Sequence, residues 1–171
     1  MNITEKIIIT DTNIITDLSN AKILQEFVML KNVYISDMVK NDEINSKTGD
    51  VSIISKFKVI HSTNAELLEV NELSKVETAL SPQDLINYVL ARDNNLILAT
   101  GDNRLRKYCI KMGLEVIRTL KIIKLMVESR IISNEKAIEA CNLLMQNTST
   151  RIPREDISNL IEELNEDLVS V

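Results

Sequence analysis

This chain is short of the residues from which most enzyme chemistry is built. One histidine, His61, among 171 residues excludes a His-rich metal site and argues against His-centred acid–base catalysis. Two cysteines, Cys109 and Cys141, supply neither a disulfide framework nor a zinc-ligand cluster. Three glycines are too few for a Gly-rich phosphate cradle. Tryptophan is absent and aromatics total 3%, so no aromatic platform for stacking nucleic-acid bases is expected. No apolar run approaches the ~20 residues of a membrane span, and the first residues do not read as a signal peptide. These lacks predict a soluble, reduced, cytoplasmic protein.

What is present bounds the answer further. The 44% hydrophobic and 26% charged content suits one folded domain that needs no disulfide or metal staple. The net charge of −5 argues at first sight against a polyanionic partner. That charge is uneven. Residues 104–130 hold only Glu115 and Glu128 against Arg104, Arg106, Lys107, Lys111, Arg118, Lys121, Lys124 and Arg130. A basic stretch can bind a polyanion although the whole chain is acidic. Its plainer reading is a solvated helix face.

Strand and helix signals alternate along the chain. Short β-branched or apolar runs at Ile7–Ile9, Val33–Ile35, Phe57–Ile60, Leu96–Ala99 and Leu114–Ile117 predict buried parallel strands. Helical spacing follows at Ile14–Ala21 and Ile23–Val28, near 36–45, over 64–80, from Ser81-Pro82-Gln83-Asp84 onward, and at Leu105–Met112. Ser81 is a capping residue, Pro82 suits the first helical position, and Gly113 suits a helix stop. From Leu120 on the pattern is helical only. The expectation is an α/β fold with a mostly parallel sheet, one domain over 1–171, and 119–171 as a helical extension.

Acids stand where such sheets build sites, outside the carboxyl ends of the strands. Asp11 follows the first strand and Asp102 the fourth. Asp84 opens the helix that feeds the fourth strand. Asp42 or Glu43 ends the helix after the second strand. Clustered carboxylates need a counter-charge, and all-oxygen ligands suit Mg²⁺ or Mn²⁺. Such a cluster can support phosphodiester hydrolysis without a His, Cys or Ser nucleophile. Each acid also has a plainer reading: Asp11 and Asp102 as helix N-caps, Asp84 as an N-terminal helix charge, Asp42 and Glu43 as solvated charges.

Three segments carry a resemblance. Asp11-Thr12-Asn13 after an apolar strand, Leu80-Ser81-Pro82-Gln83-Asp84 opening a helix, and Ala99-Thr100-Gly101-Asp102 followed by Asn103-Arg104-Leu105-Arg106 resemble PIN-domain nucleases. Val39 followed three residues later by Asp42 resembles the family's second acid position, where Glu is usual. Leu120–Ile131 and Arg151-Ile152-Pro153 resemble the C-terminal helices of a subgroup that includes prokaryotic toxin–antitoxin toxins. The resemblance implies a three-layer α/β/α sandwich with a central, mostly parallel sheet of four or five strands and a C-terminal helical extension. It implies a Mg²⁺- or Mn²⁺-dependent ribonuclease whose metal-binding acids are Asp11, Asp42, Asp84 and Asp102. Asn13, Thr100 and Asn103 would support the pocket, and Arg104, Arg106 and Lys107 would grip the RNA backbone. A partner antitoxin, or a homodimer or hetero-complex, is expected. The apolar helical faces near 12–30 and in the C-terminal helices are candidate partner surfaces, or else core. The alternative is a PIN-like scaffold without activity that works through a partner. A phosphatase-like protein with acids at the same edge fits less well, because Asn13 stands where that chemistry wants a second aspartate.

Overall fold

A computed structural model describes residues 8–30, 32–46 and 51–169. Ile7 and the side chain of Glu43 lie outside the described residues. The strands are β1 (Ile8–Thr10), β2 (Val33–Ser36), β3 (Lys58–Ile60), β4 (Ile97–Ala99) and β5 (Val116–Ile117). The helices are α1 (Thr12–Asn20), α2 (Leu24–Phe27), α3 (Asp37–Ser46), α4 (Val51–Ile54), α5 (Asn64–Val76), α6 (Pro82–Asp93), α7 (Asn103–Lys111), α8 (Thr119–Glu128), α9 (Asn134–Gln146) and α10 (Arg154–Val169). The expected elements are present, and α4 is added in a segment where no periodicity announced a helix.

The five strands form one parallel sheet in the order β3-β2-β1-β4-β5. Alternating side chains divide it between two cores. Ile97 and Ala99 of β4 join Val33 and Ile35 of β2 in a cluster with α1, α2 and α8 to α10. Leu98 points the other way, into a cluster with α5, α6 and α7. Helices therefore cover both faces, which is the three-layer α/β/α arrangement. Right-handed crossovers produce it. The chain steps from β1 out to β3 with its helices on one face. It returns to β4 and β5 with its helices on the other.

Two expectations about surfaces change here. The apolar faces of α1, α2 and the C-terminal helices are core, since Ile14, Ile15, Leu18, Phe27, Ala137, Leu144 and Ile157 are all buried. The large apolar side chains that remain exposed include Leu67, Leu68 and Val76 of α5. The basic stretch is also not one surface. α7 packs on the α5–α6 side of the sheet and α8 on the opposite side, because β5 carries the chain across between them.

Helix ends explain the remaining shifts. α7 stops at Gly113, whose φ is +81°. The amide of Leu114 then donates to the Cys109 carbonyl and that of Gly113 to Ile110, so Leu114 serves the helix stop and not the strand. Arg130, also left-handed at φ +56°, closes α8 in the same way through Ile131 to Met126. Ile131 thus leaves the helix that its spacing suggested. α5 ends at Val76, not at 80, because Glu77–Leu80 must reverse the chain so that α6 can pack back against α5. Cys109 and Cys141 are fully buried. Burial pushes their thiols up to about 12 and 11, which suits inert core residues.

Candidate active site at the carboxyl edge of the sheet

In an open parallel sheet a crevice forms where neighbouring strands send their connections to opposite faces. Here that point lies between β1 and β4, and Asp11 and Asp102 follow those two strands. Thr10 pairs with Ala99, and the amide of Asp11 donates to the Ala99 carbonyl at 3.1 Å. The ladder thus continues up to the first acid.

Asp11 is the buried acid of the site, 4% exposed. Its Oδ1 accepts the Ile14 amide at 3.1 Å and caps α1. Its Oδ2 accepts the hydroxyl of the fully buried Thr100. Burial pushes its pKa up from 3.8 to about 6, against the hydrogen bonds from Thr100, Ile14 and Asn13. The charge of Asp84 raises it further, which puts the two carboxylates within electrostatic reach. The Thr100 hydroxyl also accepts the Asp102 amide at 3.0 Å. One threonine therefore links the two strand-end acids.

Asp84 and Asp102 are half-buried caps. Asp84 Oδ2 accepts the Ser81 amide and hydroxyl at 2.9 and 2.8 Å, and Ser81 Oγ accepts the Asp84 amide at 3.1 Å. Asp102 Oδ1 accepts the amides of Arg104 and Leu105 at 2.8 and 2.9 Å. The plainer capping readings hold for Asp11, Asp84 and Asp102. Capping nevertheless leaves Asp84 Oδ1 and Asp102 Oδ2 without a hydrogen bond among the described residues. Gln83 ties the start of α6 to this edge, its Nε2 donating to Thr12 Oγ1 at 3.2 Å.

Asp42 is exposed on α3. It lies one turn beyond Met38, which packs on the α5–α6 cluster, so both share a helix face. Asn13 helps hold Asp11. Asn103 is the first residue of α7 and is exposed. Arg104 and Lys107 are exposed and Arg106 half-buried on the same helix.

Three polar residues escaped the sequence reading. Asp37, directly after β2, accepts the Ser62 amide and hydroxyl at 3.0 and 2.9 Å and fastens the end of β3. Its position after a strand, like that of Asp11, was the available signal. Asn87 is fully buried one turn beyond Gln83, and neither of its amide atoms has a hydrogen-bond partner. Asp17, on α1, accepts the Thr119 hydroxyl at 2.7 Å. Burial raises its pKa, against Thr119 and the charge of Arg118.

The donor set can be tested against a divalent cation. Among the described residues no three His, Cys, Asp or Glu side chains converge to hold a metal ion. Mg²⁺ does not require three, since one or two carboxylates with water and substrate phosphate complete its octahedron. The carboxylates of Asp11 and Asp84, whose charges interact, and the unbonded oxygens of Asp84 and Asp102 are hard, polar groups of that kind. They fit such an ion.

Comparison with known proteins agrees with the fold. No curated protein matches the chain. The crystal structure of PAE2754 from Pyrobaculum aerophilum superposes with a TM-score of 0.52 at 18% identity, over 71% of this chain and 98% of that one. At that identity the likeness concerns the fold alone. A sequence profile described as PIN domain matches residues 7–166, a span that includes every acid at the carboxyl edge. PIN domains are generally nucleases that use divalent metals. By fold and by sequence, this chain belongs to the PIN-domain family.

Proposed function

We propose that the protein is a divalent-metal-dependent endoribonuclease working at the carboxyl edge of β1 and β4. The observation that carries this reading is the Asp11–Thr100–Asp102 linkage at the switch point, with the charge of Asp84 felt at Asp11. RNA is the substrate that the resemblance implies.

Asp11 and Asp84 would hold Mg²⁺ or Mn²⁺, with Asp102 and Asp42 at the rim. The bound ion supplies water activation at neutral pH and neutralises charge at the scissile phosphate. The rest falls to the protein. Thr100 fixes the rotamer of Asp11 and aligns the turn that carries Asp102. Capping by Ser81 orients Asp84 while leaving Oδ1 available. Arg104, Arg106 and Lys107, on the helix that Asp102 caps, would take the flanking phosphates. Their ammonium and guanidinium groups make no ion pair among the described residues. The expected toxin role, with an antitoxin held over the site, belongs to the same proposal.

Purified protein with Mn²⁺ and single-stranded RNA tests this reading. Wild type is expected to cut, and Asp84→Asn and Asp102→Asn are expected to lose at least tenfold in rate while remaining folded. Variants that cut as fast as wild type, or no cutting in any divalent metal, would leave the scaffold alternative standing.

A further inference from the structure

Beside the carboxylates lies a second, differently built cavity of about 400 Å³. That is within the range of small-ligand clefts, roughly 300–1,000 Å³. Its floor is a polar stripe of α1, Asn13, Thr16, Asp17 and Asn20, spaced i, i+3, i+4 and i+7 on one helix face. The segment Arg118–Leu120 forms one wall and the turn before α10, with Arg151 and Ile152, another. Gly101 and Asn13 join the cavity to the acids. Gly101 lies between Thr100 and Asp102, and Asn13 helps hold Asp11.

The chemistry of the lining is specific. Asp17 sits on the floor with Oδ2 accepting the Thr119 hydroxyl. Its Oδ1 has no hydrogen bond among the described residues, and Oδ2 keeps a second lone pair. The groups that would satisfy it are two adjacent N–H donors. Arg118 and Arg151 bring two guanidinium groups and Asp156 a second carboxylate, none of them in an ion pair among the described residues, although the Arg118 charge is felt at Asp17. Leu120 and Ile152 supply apolar surface between these charges. An occupant therefore needs a flat body with paired N–H donors and a separate anionic group. A lone cation would satisfy Asp17 and leave both arginines facing it.

We infer that this cavity binds a guanine nucleotide, with the N1–H and N2–H₂ edge on Asp17 and a phosphate on Arg118 and Arg151. Guanine is the base that offers two adjacent donors. Adenine and cytosine place a ring acceptor beside their amine, and uracil flanks its N–H with two carbonyls, which a carboxylate repels. Within RNA the same pocket would select guanosine next to the cut. That placement rests on the nuclease reading, whereas binding of the free nucleotide does not.

Calorimetric titration of the full chain in EDTA, with GMP, AMP, CMP, UMP and inorganic phosphate as probes, tests the inference. GMP is expected to bind roughly ten- to a hundredfold more tightly than the other three, the usual discrimination of one bidentate contact. Asp17→Asn, which is isosteric and removes a partly buried charge, is expected to abolish the preference while the protein stays folded by circular dichroism. Arg151→Ala is expected to weaken GMP and leave guanosine unchanged. Equal binding of the four nucleotides, no binding of GMP, phosphate binding as tightly as GMP, or a preference that survives Asp17→Asn would overturn it. RNA cutting by a protein that does not bind GMP refutes the pocket and spares the nuclease. GMP binding by a protein that cuts no RNA does the reverse.

Discussion

Asp11→Asn is expected to stabilise the metal-free protein at neutral pH while removing its nuclease activity. Asp11 is 4% exposed and its pKa stands at about 6 against an ordinary 3.8. At about 1.4 kcal/mol per pH unit, ionised Asp11 costs the fold about 3 kcal/mol. A carboxyl whose folded pKa is raised stabilises fully below the unfolded pKa and loses that contribution as pH climbs through the folded one. The penalty is therefore absent below pH 3.8 and complete above about pH 7. Asparagine keeps the shape. Its carbonyl still accepts the Ile14 amide, and its NH₂ meets the Thr100 hydroxyl, which must reorient. Some hydrogen-bond energy is lost in that exchange, about 1 kcal/mol, leaving a gain of about 2 kcal/mol. For a chain of this length that is a rise in Tm of roughly 4–8 °C. The assay is thermal melting in EDTA from pH 4 to pH 8, read as the difference between variant and wild type, so that the other acids cancel. The difference should be near zero or slightly negative at pH 4 and should grow across the interval from 4 to 7. A variant less stable than wild type at pH 8, or a difference independent of pH, would refute the assignment of a desolvated charge to Asp11.

Other perturbations separate metal, caps and backbone. Mn²⁺ at a hundred times its dissociation constant should stabilise wild type by about 2.7 kcal/mol, and Asp84→Asn should lose that rise in a melting titration. Asp42→Ala should leave Tm nearly unchanged, within about 0.5 kcal/mol, because the side chain is exposed. Its RNA cleavage rate should fall nevertheless, and an unchanged rate would remove Asp42 from the site. Ser81→Ala breaks the capping box of α6 and should cost about 0.5–2 kcal/mol by denaturant unfolding. Gly113→Ala meets no atom within 4 Å but keeps φ at +81°, so conformation alone should cost about 1–2 kcal/mol with RNA cleavage intact.

Much of this architecture was legible locally. Ser81-Pro82-Gln83-Asp84 announced α6 because a capping box is made within four residues, and Gly113 announced the end of α7 because a left-handed stop is a property of one residue. The strands were legible because a strand buried on both faces must be apolar throughout. Arg130 was not legible as a stop, since only the finished turn holds a non-glycine residue at φ +56°. The three acids Asp11, Asp84 and Asp102 could be named from sequence because each follows a strand or opens a helix.

Burial and proximity are a different matter. The amino-acid sequence by itself determined the order of elements, their caps and the acids available, because those depend on neighbours along the chain. It also showed that His, Cys and Gly are too scarce for the chemistries that need them. Only the tertiary structure decided which polar faces meet solvent. The stripe Asn13, Thr16, Asp17 and Asn20 has the spacing of a solvated helix face until Arg118 and Ile152 close over it. The faces of α1 and α9 could be interface or core until α8 and α9 packed on α1 and α10 on α9. The basic run 104–130 is continuous in sequence and divided in space by β5. Periodicity reports how side chains are disposed about their own helix or strand axis. What stands opposite them is set by contacts a hundred residues away, such as Thr119 on Asp17, and these exist only once the sheet has brought the segments together.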